Sequence, residues 1–420
     1  MSAKDRPTIK RKLPILFHFP EPTRARGLSI LDNFVPAMGQ RYAKGRNFDH
    51  GPGRHKAVSM LSPYVRRRLV LEEELTRDAV RAHGFDGAEK FIEEVFWRGY
   101  FKGWLERRPQ VWASYVDGLE SDVAGLEQNR RLRKAVAAAE AGETGIACFD
   151  GWVEELITTG YLHNHARMWF ASIWIFTLNL PWRIGADFFY RHLLDGDPAS
   201  NTLGWRWVAG LHTRGKFYEA KAWNIATFTA NRFKPDAGDF ASNVHSLEDE
   251  EPEGLPPVMA LRSIVSPTTD TPSVLLLTEE DCRLEDFNLT AYNIRESAML
   301  ITSHLRSPRM GSENVASFEA GALQDAAVRS RISAVTMRAG LPDDLALWAA
   351  RAGAKQIIMP YVTQGPLCDW LRAATPSLVN KGIAVAELRR DWDELIWPHV
   401  TAGFFKVKQQ IPRILEQIIA

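Results

Sequence analysis

Residues 160–207 read GYLHNHARMWFASIWIFTLNLPWRIGADFFYRHLLDGDPASNTLGWRW, and this stretch decides how the rest of the chain is read. Its most apolar run, Met168 to Leu180, is about 13 residues long, short of the ~20 that a membrane-spanning helix needs. It reads as a buried core helix, and no membrane partner is expected. Outward toward the N-terminus, Ile146, Phe149, Trp152/Val153 and Leu156/Ile157 recur at helical spacing on one face of Ile146–Gly160. Toward the C-terminus the texture changes near residue 236. From Lys234 to Ser273 the chain is rich in Pro, Asp, Glu, Ser and Thr, with little apolar periodicity outside Val258–Ile264. Such a composition buries too little apolar surface to offset its ordering entropy, so it reads as a linker. Beyond it, β-branched or aliphatic runs return at Val274–Thr278, Ala298–Thr302, Ile332–Thr336, Gln356–Met359 and Ile383–Glu387, with helical stretches such as Asp343–Ala354 between them. That alternation implies a mainly parallel sheet with helices on its faces.

The length of 420 residues suits two domains, because single cores rarely grow past ~250–300 residues. The expected division is a helical domain over 1–235, an acidic Pro-rich linker over 236–272 and an α/β domain over 273–420. Only three cysteines occur, Cys148, Cys282 and Cys368, with no CxxC pair. This excludes a disulfide scaffold, argues against a cysteine-held zinc or iron–sulfur cluster, and makes a reducing cytoplasm the expected location. The opening MSAKDRPTIKRKLPILFHFPEPTRARG has a short, proline-broken apolar run and does not read as a signal peptide. The net charge of +1 hides an asymmetry: residues 1–235 hold 35 Lys+Arg against 26 Asp+Glu, or +9, leaving −8 behind. A basic front half suits a polyanionic partner; the competing reading is surface charge that serves solubility.

Four segments carry a resemblance to one family. GYLHNHARMWFAS (Gly160 to Ser172) resembles GW-x-HNR-x-RM-x-AS, and Trp182 to Trp207 resembles W-x-x-GA-x-x-F…L-x-D-x-D-x-A-x-N…WQW. KFIEEVFWRGYF (Lys90 to Phe101) resembles W-x-x-E-x-x-WR, and SMLSPYV (Ser59 to Val65) resembles the phosphate loop TSRLSPYL. Their order and spacing over residues 42–207 are those of the helical FAD-binding half of DNA photolyases and cryptochromes. The resemblance implies an all-helical photolyase-type FAD-binding domain followed by a Rossmann-like parallel α/β domain. SVLLLTEEDCRLEDFNL (Ser273 to Leu289) looks like the first strand and loop of the family's antenna domain, and GIAVAELRRDWDELIWPHVTAGFFKVKQQIPRIL is similar to its end. That domain comes first in photolyases, so a circular permutation is expected here. An unrelated Rossmann-like appendage is the alternative, and the antenna pigment is left unidentified.

A flavin is a flat, largely apolar ring with an anionic diphosphate tail, so its site needs close packing and a few placed polar groups. The resemblance implies that Asp195 and Asp197 face the flavin edge and ribityl region, with Arg167 and Arg98 supplying positive charge nearby. Ser59, Leu61 and Ser62 are expected to hold the diphosphate at a helix start, with Tyr42 and Phe91 lining the cavity and Asn201 beside flavin N5. Glu94, Trp97, Asn164, Met168 and Trp207 match the pocket for a flipped cyclobutane pyrimidine dimer; Trp97 and Trp207 would sandwich the unstacked bases. Trp205 and Trp182 match the proximal and middle members of a tryptophan electron chain, whereas Asn129 falls near its distal position. His165 stands where an arginine usually faces the substrate, which implies pH-dependent lesion binding. Phe91 replaces a tryptophan and Met60 an arginine.

The implied function is an FAD-dependent, blue-light-driven DNA-repair lyase acting on UV-damaged DNA. The alternative is a cryptochrome-like photoreceptor working through a signalling protein partner; a third is a flavoprotein without photochemistry.

Overall fold

The computed structural model describes residues 20–213 and 215–419; residues 1–19 of the N-terminal run read above as no signal peptide lie outside them. Up to Phe228 the chain is helical and carries no strand among the described residues. Its longest element, Glu72–Glu106, bends where Gly84 takes φ +69°, so it is two helices joined at a kink. Glu72, Glu73 and Glu74 fill its first turn, where carboxylates favour the exposed N–H groups. The helix expected over Ile146–Gly160 runs Ala147–Thr159 and stops at Gly160 in the left-handed region. The apolar run at Met168 departs from the single helix expected. Asn164–Ser172 is α-helical, Ile173–Thr177 widens into a π turn, and Asn179 turns out of the helix at φ +51°.

The back half contains a five-stranded, all-parallel sheet: β1 (Ser273–Leu277), β2 (Ile294–Ile301), β3 (Val335–Arg338), β4 (Gln356–Pro360) and β5 (Ala384–Leu388). Its spatial order is β3-β2-β1-β4-β5, with Val274 opposite both Glu296 and Ile357. Helices Asp343–Arg351 and Pro366–Asn380 supply the core on one face; the other face joins the core of the helical half. No helix among the described residues is long and apolar enough to cross a membrane.

The stretch between the halves is ordered, against the expectation from its composition. It gains little from apolar burial and is instead tied down by charge and backbone bonds. Glu251 pairs with Arg206, Arg262 with Glu387, and the Met259 and Glu387 amides bond Arg107 and Val265 carbonyls. The larger junction is the long helix against the chain end. A Cβ at Gly103 would stand 2.5 Å from Trp397 Cδ1, so only glycine allows this approach.

A run of three arginines then crosses to the acidic loop after β1. Arg66 Nη2 meets Glu280 at 2.6 Å, Arg67 Nη2 meets Glu279 at 2.9 Å, and Arg68 Nη2 grips both oxygens of Asp393 at 2.7 and 2.8 Å. All six residues are buried. Removing one partner leaves an uncompensated buried charge, so Asp393→Ala is expected to cost about 3–5 kcal/mol in urea melts. Because the pair is shielded from solvent, raising the salt should change that deficit little.

Candidate functional site

The helix Trp182–His192 ends at Leu193, and the chain turns through an acidic loop into Pro198–Ala209. Leu194 N–H bonds the Gly160 carbonyl at 2.8 Å, which ties this loop to the start of the HNHARM segment. Asp197 caps the second helix, its Oδ1 accepting from Ser200 N–H at 2.9 Å, and Pro198 takes the first helical position. Its Oδ2 is buried without a hydrogen-bond donor, 3.8 Å from Arg66 Nε, 3.9 Å from Arg98 Nη2 and 3.8 Å from Lys102 Nζ. Burial would raise this carboxyl, but Lys102, Arg98 and Arg66 hold it well below the usual range. Asp195 is clamped by Arg167 Nη2 at 2.8 and 3.1 Å, and Arg167 Nε donates to the Leu162 carbonyl. Asn201, one turn into the capped helix, donates to the Ala186 carbonyl at 2.8 Å.

The phosphate loop lies next to this group. Ser62 opens the short helix Ser62–Arg66 and Leu61 precedes it, buried. Ser59 Oγ accepts from Leu61 N–H at 3.3 Å, and Met60 between them takes φ +56°. A left-handed methionine is a strained residue that the surrounding loop holds in place. Tyr42 is buried edge-on to Phe91 at 5.2 Å, with Phe34 closing the cluster. Arg46, which the sequence did not single out, pairs with Glu94 and hydrogen-bonds Tyr42.

The residues matched to the lesion pocket are dispersed among other partners. Asn164 is exposed on the first turn of its helix, and Met168, one turn on, is half-buried. Trp207 is 40% exposed and leans on Tyr218 at 5.6 Å. Trp97 is not a bare platform: the Phe404 ring stacks on it at 4.0 Å and 14°. His165 departs most from expectation. It stacks on Trp169 at 4.1 Å, and its ring nitrogens face the Asn47 carbonyl and the Tyr218 hydroxyl at 3.0 and 3.3 Å. Burial lowers its pKa, which works against an imidazolium at this position.

Residues 91–243 match the family model for the FAD binding domain of DNA photolyase. That matched segment of the helical half is similar to the photolyase FAD-binding domain. A deoxyribodipyrimidine photo-lyase of Thermus thermophilus is 34% identical over 192 residues, covering 46% of this chain and 44% of that protein. One of Streptomyces griseus is 36% identical over 161 residues, covering 37% and 33%. The chain thus spans less than half the length of these curated relatives. Among solved structures, a class III photolyase from Agrobacterium tumefaciens gives a TM-score of 0.39 at 26% identity, and a Synechocystis cryptochrome 0.42 at 20%; each match covers 50% of this chain and 43% of that one.

The donor set of this photolyase-type domain fits a flavin. Asp197 Oδ2 is a buried acceptor still lacking a donor, the complement of a ring N–H. The two tryptophans matched to the electron chain are both buried, and both indole N–H groups lack a protein partner. Trp205 sits over Gly185, where a Cβ would stand 2.4 Å from its ring. Trp182 neighbours Tyr115 at 5.9 Å, and Tyr115 neighbours Trp112 at 5.3 Å. Asn129 is exposed and caps the helix Arg130–Glu140, an ordinary structural duty. Among the described residues a histidine–carboxylate cluster, Asp49, His55 and Glu155, stands beside Tyr161 and His163, and Arg232 already pairs with both of its carboxylates.

Replacing Asp197 by Asn keeps the size but removes a carboxylate shared by three cations, leaving Arg66 and Lys102 with Glu280 and Arg98 with Glu72. We expect Asp197→Asn to weaken FAD retention and to lower apo-protein stability by about 1–3 kcal/mol. The folded carboxyl titrates below its unfolded value, so this contribution is present above the ordinary carboxylate range. The wild-type advantage should therefore persist at pH 5 and vanish only in strong acid, as read by denaturant melts.

Proposed function

We propose that this chain is a light-driven DNA-repair flavoprotein that splits cyclobutane pyrimidine dimers. The observation that carries the reading is a pair of acid–base contacts flanking one loop, Asp195 with Arg167 and the buried Asp197 with Arg98, Arg66 and Lys102, with Arg66 closing the helix that Ser62 opens. Bound FAD would supply a light-absorbing one-electron donor, and Asp197, Asn201 and Arg167 would fix its orientation. Tyr42, Phe91 and Leu61 would exclude water from it. The dimer, once flipped out of the duplex, would stack on Trp97 and Trp207 and bond to Asn164, with Met168 as an apolar wall. Glu94, held by Arg46, is pushed up by burial, so a proton stays on it to a higher pH than on a free carboxylic acid. The α/β half is read as the family's antenna domain moved behind the helical one.

A photoreceptor reading draws support from one feature, the inward His165, which leaves the substrate side without the usual arginine. The decisive measurement is repair of a dimer-containing oligonucleotide under blue light with a dark control. Repair confined to the illuminated sample supports the enzyme; no repair and equal binding of damaged and intact DNA would leave the receptor.

Losing one stacking surface should cost about 1–3 kcal/mol. Trp97→Ala should therefore reduce affinity for damaged DNA about ten- to a hundred-fold, measured by filter binding, while FAD content stays unchanged. His165 is neutral at and above neutrality, so that affinity should show no step attributable to it between pH 7 and 8. His165→Gln should leave the profile unaltered in that range.

A further inference from the structure

We propose that Phe404, from the C-terminal segment beyond β5, is a positioning residue for Trp97. This rests on the reading of Trp97 as a base-stacking surface. Phe404 and Trp97 are parallel at 4.0 Å, and Tyr100 meets both rings edge-on, at 5.3 Å and 89° to Trp97 and 5.6 Å and 80° to Phe404. One face and one edge of the indole are therefore taken by aromatic neighbours. Trp97 nevertheless remains half-buried rather than buried, so part of its ring still meets solvent.

The segment carrying Phe404 is itself fixed on both sides. Tyr100 Oη donates to the Ala402 carbonyl at 3.1 Å, and Lys408 pairs with Glu93 and, at 3.1 Å, with Glu89. Val407 and Ile411 are buried, whereas the next ring along, Phe405, is 66% exposed. Of two adjacent phenylalanines, one is committed to the indole and the other is not. A tryptophan on a helix has two rotatable side-chain bonds, and stacking a base on it costs the entropy of fixing both. Phe404 and Tyr100 remove that freedom before the base arrives, which strengthens binding without touching the ligand. The chain end thereby contributes to substrate recognition from outside the family-matched residues 91–243.

The test is a double-mutant cycle in FAD-loaded full-length protein, comparing a duplex bearing one cyclobutane dimer with its intact counterpart. Phe404→Ala should reduce the preference for the damaged duplex about three- to tenfold, Phe404→Tyr should restore it, and Phe404→Ala should add nothing in a Trp97→Ala background. Flavin content and melting temperature report folding. Should alanine lower them, Phe404→Leu fills the space without a flat ring and is expected to lose the preference as well. Full preference in the leucine variant overturns the proposal, as does an equal Phe404→Ala effect with and without Trp97. A rise in affinity on removing Phe404 also overturns it, since the ring would then be a cover to be displaced. If Trp97→Ala itself leaves the preference intact, the base-stacking reading fails first, and the cycle shows that separately.

Discussion

The arginine triplet Arg66–Arg67–Arg68 holds the molecule together as one piece. These three side chains leave the end of the phosphate loop's helix and enter the acidic loop Glu279–Asp281 and the Asp393 carboxylate of the other half. Arg306 shares Glu279 with Arg67, and Arg390 shares Asp281 with Arg68, so each acid is gripped from more than one side. Backbone carbonyls at Leu194 and Gly196 take further guanidinium donors. Such pairing offsets a desolvation cost of several kcal/mol for each charge, although Arg67 Nε and Arg68 Nε stay buried without a hydrogen-bond partner. Arg68 even adopts φ +52°, a left-handed backbone that the surrounding contacts must enforce.

The cofactor-site acid draws on the same cations. Lys102 stands 3.8 Å from Asp197 and 3.5 Å from Glu280, and Arg66 reaches both carboxylates as well. The electrostatics of the candidate flavin site are thus set partly by the α/β half. The geometry of the sheet makes this possible. In an open parallel sheet, the crevice at the strand C-termini beside the point where strand order reverses is the usual ligand position. Here that point lies between β1 and β4. The helical half reaches into it: Lys102 meets Glu280 after β1, and Glu106 accepts from Tyr361 and from Gln364 N–H after β4. A crevice that elsewhere receives a nucleotide receives the end of a helix here.

Local pattern carried the fold a long way. All five strand runs overlap observed strands to within a few residues; β1 and β4, buried throughout, are continuous apolar runs in sequence, whereas edge strand β3 is mostly exposed. The local placing of the two acids expected at the flavin was legible for a different reason: Asp197 caps a helix and Asp195 stands two residues before it. Three things were hidden. The π turn at Ile173–Thr177 leaves the apolar periodicity almost unchanged. The ordering of the acidic linker comes from pairs such as Arg206–Glu251, whose members are far apart in sequence. Phe404 reaches Trp97 across some three hundred residues, and no spacing rule spans that distance.

The charge asymmetry is the clearest case of a correct observation with a second cause. An excess of +9 in front and −8 behind suggested a polyanionic partner. Yet Arg66, Arg67, Arg68 and Lys102 meet Glu279, Glu280, Asp281 and Asp393 inside the protein, four cations against four anions removed from solvent. Part of the asymmetry is therefore complementarity between the two halves, partly offset by Asp197 and Glu72 in front and Arg306 and Arg390 behind. What remains for an outside polyanion is the exposed set: Arg41, Lys44, Arg54 and Lys56 near the phosphate loop, and Arg130, Arg131, Arg133 and Lys134 on a separate helix. A groove-following ligand would meet the first group close to Asn164 and Glu94, since Arg46 in the same segment pairs with Glu94 and Asn47 bonds His165. Long-range attraction from these exposed side chains weakens with salt, whereas the buried four-by-four network does not. Salt therefore separates the charges that recruit a partner from those that hold the fold.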